Sequence, residues 1–333
     1  VKRAAIVLLL AGAAAACQRS PKINPAALRA FAPLDTVMRS AENPITPAKM
    51  ALGRMLYYDT RLSADQTLSC NSCHALDKYG VDHRAVSLGI KGQPGARNAP
   101  TVYHAAGQVA QFWDGRAPTV EEQAKGPILN PIEMGMPNSN VVLARLRAIP
   151  EYRAAFRAAF PQDADPITYD NLGNAIGAFE RRLVTASRWD QFLAGDRSAL
   201  TPEERAGFNQ FWATGCQACH NGTYVGGGSF QRMGLVEPWP KSDDMGRFAV
   251  TNNVSDQLVF KVPTLRNVDQ TAPYFSDGQV ATLEEAVQLM ALHQLGRDLT
   301  TEETASIVTW LKTLTGPLPE EYIAPPALPG QDR

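Results

Sequence analysis

Apolar positions recur at helical spacing in several stretches of the chain, and each stretch carries recognisable start or stop signals. Amphipathic helices are predicted near 46–59 (TPAKMALGRMLYYD) and near 201–215 (TPEERAGFNQFWATG), where Thr201 and Glu204 make a capping box. Further helices are predicted near 140–160 and 168–185, with Pro150 and Pro161 as punctuation. Two more follow at 282–296 and 300–316, each opening on Thr and Glu and closing on Gly. Between them, NGTYVGGGSF and GLVEPWPKSDDMGRF are rich in turn residues and read as loops or short hairpins. No strand pattern rises above short runs, so the predicted class is mainly α with long loops.

The chain begins VKRAAIVLLLAGAAAAC. Lys2 and Arg3 precede an apolar run that is too short to span a bilayer and has the order of a signal segment. Cys17 then has two readings: an incidental cysteine after a cut near Ala16, or an acylated lipoprotein cysteine with the following residues as a tether. The reading is therefore of an exported, periplasmic protein. The 333 residues suit about two domains. A net charge of −1 gives no support for a nucleic-acid partner, which needs a basic face.

The cysteines change the picture most. Only five cysteines and five histidines occur in the chain. Apart from Cys17, every cysteine lies in a C-x-x-C-H string: Cys70, Cys73 and His74, then Cys216, Cys219 and His220. Chance gives two such matches roughly once in a million chains of this composition. A redox dithiol does not need the histidine, and a zinc site of four thiolates normally has its pairs about 15–20 residues apart. Covalent haem attachment does need this spacing. Two thiols bond the two vinyl groups of one haem, and the adjacent histidine is placed to bind iron. The motifs predict two covalently bound c-type haems.

The two motifs open similar segments, and the whole resembles the bacterial di-haem cytochrome c peroxidases from about residue 45 to residue 319. The resemblance rests on RNAPTV (97–102), QFWDGRA (111–117), EEQAKGPILNPIEM (121–134), GLVE (234–237), LRN (265–267), TAPYF (271–275) and LEEAVQLM (283–290). It implies two cytochrome c-like haem domains. Residues 1–17 are a signal segment, 18–44 a tether, 45–185 a peroxidatic domain, 186–319 an electron-transfer domain and 320–333 a Pro-rich tail. The enzymes that mature methylamine dehydrogenase, by oxidising tryptophans in a partner protein, share much of this pattern.

The resemblance also implies roles. His74 and His220 bind the two irons. Met290 is the second axial ligand of the second haem, with His293 as runner-up; by helical periodicity alone Met290 reads as a core methionine. The maturation enzymes carry tyrosine at this place, so Met290 argues for a peroxidase. Trp113 lies between the haems as an electron relay. Glu133 and Gln123 stand over the first haem, where a carboxylate can move a proton between the two peroxide oxygens. Asn98, Thr271 and Pro273 match a calcium site built from amide and backbone oxygens. The implied reaction is reduction of hydrogen peroxide to water, with electrons from a small cytochrome c or a cupredoxin. Family members are often homodimers.

One position departs from the family. The loop 87–95 (SLGIKGQPG) has Ile90 where related enzymes place a histidine that caps the first iron. Isoleucine cannot bind iron, so the first haem is expected to rest open or with water. His83 and His104 are alternative caps, each reading equally as an ordinary surface or packing histidine. Three other functions are weighed: a di-haem electron carrier without catalysis, a di-haem oxidase acting on a partner's tryptophan, and a zinc protein.

Overall fold

The computed structural model describes residues 21–240 and 243–330. The signal segment and Cys17 lie outside these residues. In chain order the α-helices are α1 (Pro25–Leu28), α2 (Pro47–Tyr58), α3 (Cys70–Cys73), α4 (Val120–Leu129), α5 (Ser139–Arg147), α6 (Pro150–Ala159), α7 (Tyr169–Glu180), α8 (Arg188–Leu193), α9 (Pro202–Thr214), α10 (Phe248–Thr251), α11 (Leu283–Leu295), α12 (Thr301–Leu311) and α13 (Glu320–Ile323). Two short strands, β1 (Phe230–Arg232) and β2 (Val259–Lys261), pair antiparallel with Phe230 opposite Lys261. The protein is mainly helical, as the patterning predicts.

Local chemistry sets the helix ends. The Thr201–Glu204 capping box is present, and Gly215 ends α9 at φ +104°, a left-handed conformation that glycine adopts without strain. Pro150 divides the 140–160 stretch in two. It lacks an N–H for a continuing helix, so α5 stops at Arg147 and Pro150 opens α6. Helix α4 is not anticipated by the patterning, because Gly126 and Pro127 weaken the helical signal. Thr119 nevertheless caps it, accepting from the Glu122 N–H at 3.2 Å, and Pro127 falls in its last turn.

Two hydrophobic cores form. The first gathers Leu52, Leu56 and Tyr57 of α2 with Tyr152, Phe156, Ile176 and Phe179. The second gathers Trp189, Phe208, Phe211 and Trp310. The chain passes from one to the other between Leu183 and Trp189.

Each core is organised by the same helix crossing. At α2 against α7, a side chain on Gly53 would put Cβ 1.9 Å from the Ala175 carbonyl oxygen. At α9 against α12, a side chain on Gly207 would meet the Ser306 carbonyl oxygen at 2.1 Å. Only a residue without Cβ lets the backbones approach this closely. In both halves the helix carrying the glycine precedes the C-x-x-C-H string, directly at α9 and after residues 59–69 at α2.

The ends of the described chain brace the halves in an exchanged manner. Residues 21–44 do not hang free as a tether. Ile23, Ala27 and Phe31 are buried in the second core, and the Phe31 ring stands edge-on to Trp189 and to Phe208, with centroids 5.6 Å apart in each case. Further on, Asn43 is buried and donates to Glu121 at 2.9 Å. The tail returns to the first core: Ile323 is buried there, and Tyr322 stacks on Phe179 with centroids 5.1 Å apart. Its prolines therefore lie along a surface that apolar contacts hold in place.

Two buried ion pairs complete the frame. Arg266 bonds both oxygens of Asp190 at 2.6 and 2.9 Å and donates to the Thr223 carbonyl. Arg181 bonds both oxygens of Glu121 at 2.7 and 2.9 Å. Removing one partner of such a pair leaves a buried charge uncompensated, at a cost of about 3–5 kcal/mol.

Candidate functional site: two thiol–imidazole centres and the segment between them

Helix α3 is a single turn that presents Cys70 and Cys73 one turn apart and delivers His74 at its end. The Tyr57 hydroxyl donates to the His74 carbonyl at 2.7 Å, tying the motif to α2. The His74 imidazole is buried, which lowers its pKa and keeps it neutral. Its Nδ1 lies 3.4 Å from the Gly80 carbonyl oxygen. A proton on Nδ1 facing that carbonyl leaves Nε2 unprotonated, as an iron ligand requires. Burial pushes the Cys70 thiol up to about 12. The Cys73 thiol is also raised, by burial first and then by the Asp82 and Glu133 carboxylates.

The second centre is a cavity. Cys216, Cys219, His220 and Met290 all line it, among apolar side chains that include Phe211, Val262, Leu265 and Leu283. Burial lowers the His220 imidazole to about 4, so it is neutral at pH 7. Its Nδ1 is buried without a hydrogen-bond partner. Two thiols, a neutral imidazole and a thioether around an apolar cavity make a donor set suited to a covalently held haem with two axial ligands. His293 is placed differently: its Nδ1 faces the Glu237 carbonyl oxygen at 3.1 Å and its ring packs against Trp239. Of Met290 and His293, Met290 is the one that lines the cavity with His220.

Trp113 lines the same cavity. Its indole N–H donates to the Asn98 carbonyl at 2.9 Å, and its own carbonyl accepts from the Lys261 N–H at 2.8 Å. The next residue, Asp114, is buried between Arg97 at 2.6 Å and Arg116 at 2.9 Å, and Arg97 also grips Asp244. These bonds hold the 111–117 segment stiffly. Asn98, Thr271 and Pro273 all line this cavity, and the Asn98 side-chain amide donates to the Arg84 carbonyl at 2.9 Å.

A separate recess is lined by Phe112, Arg116, Pro127, Asn130 and Glu133, and Phe112 lines both this recess and the cavity beside Trp113. Glu133 accepts from the Asn130 side-chain amide at 2.9 Å. Burial raises its carboxyl above the usual value of 4.5, while Arg116 and Asn130 pull it back. Gln123 lies on α4 one turn before Gly126 and Pro127, but the α4 residues that line the recess are Glu122, Gly126 and Pro127, so the structure does not bring Gln123 to it. The loop at 87–95 is docked here: the Ile90 N–H donates to the Glu133 carbonyl at 2.8 Å, and Ile90 is buried against Gly135.

The remaining histidines are engaged elsewhere. His104 Nε2 accepts from the Thr185 N–H at 3.0 Å, and Thr185 in turn bonds Asn267, so His104 sits in a buried link between the halves. Burial first, and then Arg266, lower it to about 3. His83 faces the Ala272 carbonyl oxygen through Nδ1 at 3.0 Å. Among the described residues no cluster of three or more His, Cys, Asp or Glu side chains is arranged to hold a metal ion, and the two cysteine pairs belong to different cores. That removes the four-thiolate zinc reading. Sequence reasoning did not single out Phe112, Arg116 or Asn130 at the recess, nor Gln108 and Lys261 at the cavity. No spacing rule marks them, although the first two fall inside QFWDGRA.

Comparison with known proteins agrees with this geometry. The di-haem cytochrome c peroxidase family model matches residues 47–198. The chain is 45% identical over 292 residues to cytochrome c551 peroxidase of Nitrosomonas europaea, covering 84% of this chain and 86% of that one. It is also 45% identical over 290 residues to cytochrome c551 peroxidase of Pseudomonas aeruginosa, covering 85% and 84%. Among solved structures it superposes on a MauG-like protein associated with microbial copper homeostasis with a TM-score of 0.77, at 32% identity, covering 88% of this chain and 95% of that one. The chain belongs to the di-haem cytochrome c peroxidase family, a family of oxidoreductases that implies two haem groups.

Proposed function

We propose that the protein reduces hydrogen peroxide to water, taking two electrons and two protons per peroxide, with a small cytochrome c or a cupredoxin as donor. One observation carries the reading: the two centres are unlike. The second cavity is lined by two side chains able to bind iron, His220 and Met290, whereas at the first centre His74 has no such counterpart: the carboxylate whose charge reaches the Cys73 thiol is Glu133, and the recess it lines adds no second His or Met. Haem held by two such side chains would suit electron entry, and haem held by one would leave room for a small substrate. Ile90 has no atom able to bind iron.

Haem, when bound through Cys70, Cys73 and His74, supplies a redox-active iron with a place for peroxide. The protein supplies the rest. His74 stays neutral and oriented by the Gly80 carbonyl. Glu133 accepts a proton from one peroxide oxygen and returns it to the other, so that water leaves. Asn130 holds the carboxyl in place, and Arg116 stacks on Phe112 at 3.4 Å and limits how far the recess opens. Cys216, Cys219, His220 and Met290 hold the second haem, and a thioether ligand raises its potential towards that of small donors. Trp113 then lies on the route between the centres. A calcium ion at Asn98, Thr271 and Pro273 fits the oxygen donors gathered there, and Asn98 also accepts the Trp113 N–H. Among the described residues no helix is long and apolar enough to cross a membrane, and the signal segment favours export to the periplasm.

The likeness to a MauG-like protein keeps a second reading in view, oxidation of a partner's side chain. Met290 in place of a tyrosine speaks against it. Steady-state assays with hydrogen peroxide and reduced cytochrome c or cupredoxin separate the two. Two donor molecules oxidised per peroxide support the peroxidase, and a rate no greater than that of free haem rejects it.

A further inference from the structure

Lys261 is a buried cation without an anion. It ends β2, is only 8% exposed, and lines the cavity that holds Cys216, Cys219, His220 and Met290. Its Nζ donates to the side-chain oxygen of Gln108, which lines the same cavity. Among the described residues no carboxylate pairs with it, in contrast to the buried Arg181 and Arg266. An ammonium held out of water by one neutral amide is costly, and burial alone lowers its pKa to about 8. Chains tolerate such a group where an anion arrives later. The backbone places it with purpose, because the Lys261 N–H is bonded to the carbonyl of Trp113.

We infer that Lys261 forms an ion pair with a carboxylate of the haem held at Cys216, Cys219 and His220, and thereby sets that haem's reduction potential beside the Trp113 relay. The inference rests on the two-haem reading above. A fixed positive charge stabilises the reduced iron, which is one unit less positive than the oxidised one, so Lys261 raises the potential. The backbone bond from the Lys261 N–H to the Trp113 carbonyl puts this charge next to the relay.

The test is spectroelectrochemical titration of wild-type holoprotein, Lys261→Gln, Lys261→Arg and Gln108→Leu, with haem content measured for each. Lys261→Gln is expected to shift the reduction equilibrium of the Met-ligated haem at least tenfold towards the oxidised form, or about 59 mV for one electron. Lys261→Arg keeps the charge and is expected to stay near wild type. Gln108→Leu removes the one acceptor that Lys261 has among the described residues and is expected to leave the potential near wild type, since the haem carboxylate still holds the ammonium. The propionate bending band in the resonance Raman spectrum should move in Lys261→Gln alone. An unchanged potential in Lys261→Gln carrying two haems overturns the inference and leaves the peroxidase reading standing. A shift in Gln108→Leu as large as in Lys261→Gln also overturns it, because the amide would then be the true partner. If Lys261→Gln cannot be loaded with haem, a wild-type potential and propionate band in Lys261→Arg support the pair, and a tenfold shift there overturns it. Fewer than two haems in the wild type defeats both readings.

Discussion

Replacing Glu133 by glutamine tests the proton-transfer step with little disturbance to the fold. The amide keeps the shape of the side chain, and its oxygen can still accept from Asn130, the bond that spans 2.9 Å in the wild type. What disappears is the ability to take up and release a proton beside the substrate. Positioned acid–base groups contribute about 10²–10⁴-fold to rate. At about 1.4 kcal/mol per tenfold, that is about 3–5 kcal/mol of barrier. The kcat/KM for peroxide, measured with reduced cytochrome c, should fall by that factor. The pH dependence gives a second signature. Burial raises the Glu133 carboxyl above 4.5 in the folded chain, so the folded state holds this proton more tightly than the unfolded one. The stabilisation from this group is complete below the unfolded value and is lost as pH rises through the raised folded value. At neutral pH the amide carries no such loss, so Glu133→Gln should be at least as stable as wild type. Wild-type activity should rise with pH as the carboxyl ionises, at a pH above the free glutamate value of 4.5, and the variant should lack that limb. A kcat/KM within about threefold of wild type, with the pH limb intact, would refute Glu133 as the proton carrier.

Two further outcomes follow from other parts of the molecule. Trp113→Phe keeps a ring but removes the N–H donated to the Asn98 carbonyl; in stopped-flow traces the second haem should be reduced as fast as in wild type, while transfer to the first slows by about tenfold or more. Equal transfer rates would take Trp113 off the route. Phe31→Ala removes a ring that is 7% exposed from the second core, so chemical denaturation should show a loss of about 3–5 kcal/mol, and a loss under about 1 kcal/mol would show that the N-terminal segment does not brace that core.

The parts of this protein that could be read from sequence are those whose chemistry is local. Cys70, Cys73 and His74 work at fixed spacing because two thiols and an imidazole must reach one porphyrin, and five residues of chain decide that. The Thr201–Glu204 cap and the Pro150 break are likewise decided within one turn. The hidden parts depend on distant partners. Phe31 looks like one apolar residue in a Pro-containing stretch, and only the Trp189–Phe208–Trp310 cluster, more than 150 residues away, makes it core. Lys261 looks like an ordinary strand-end lysine, and its burial follows from Gln108 and the Trp113 carbonyl. Ile90 was legible as a residue unable to bind iron, but its docking on the Glu133 carbonyl was not, since that bond joins two loops 43 residues apart.

The proposed peroxidase needs two covalently bound haems in unlike sites, one held by His220 and Met290 and one open beside Glu133. Electron paramagnetic resonance of the fully oxidised holoprotein, with iron and covalent haem counted in the same sample, separates the two sites. Two haems per chain are expected, with equal amounts of a high-spin ferric signal and a low-spin signal of His/Met type. One haem per chain, or two low-spin signals with no high-spin component, would contradict it.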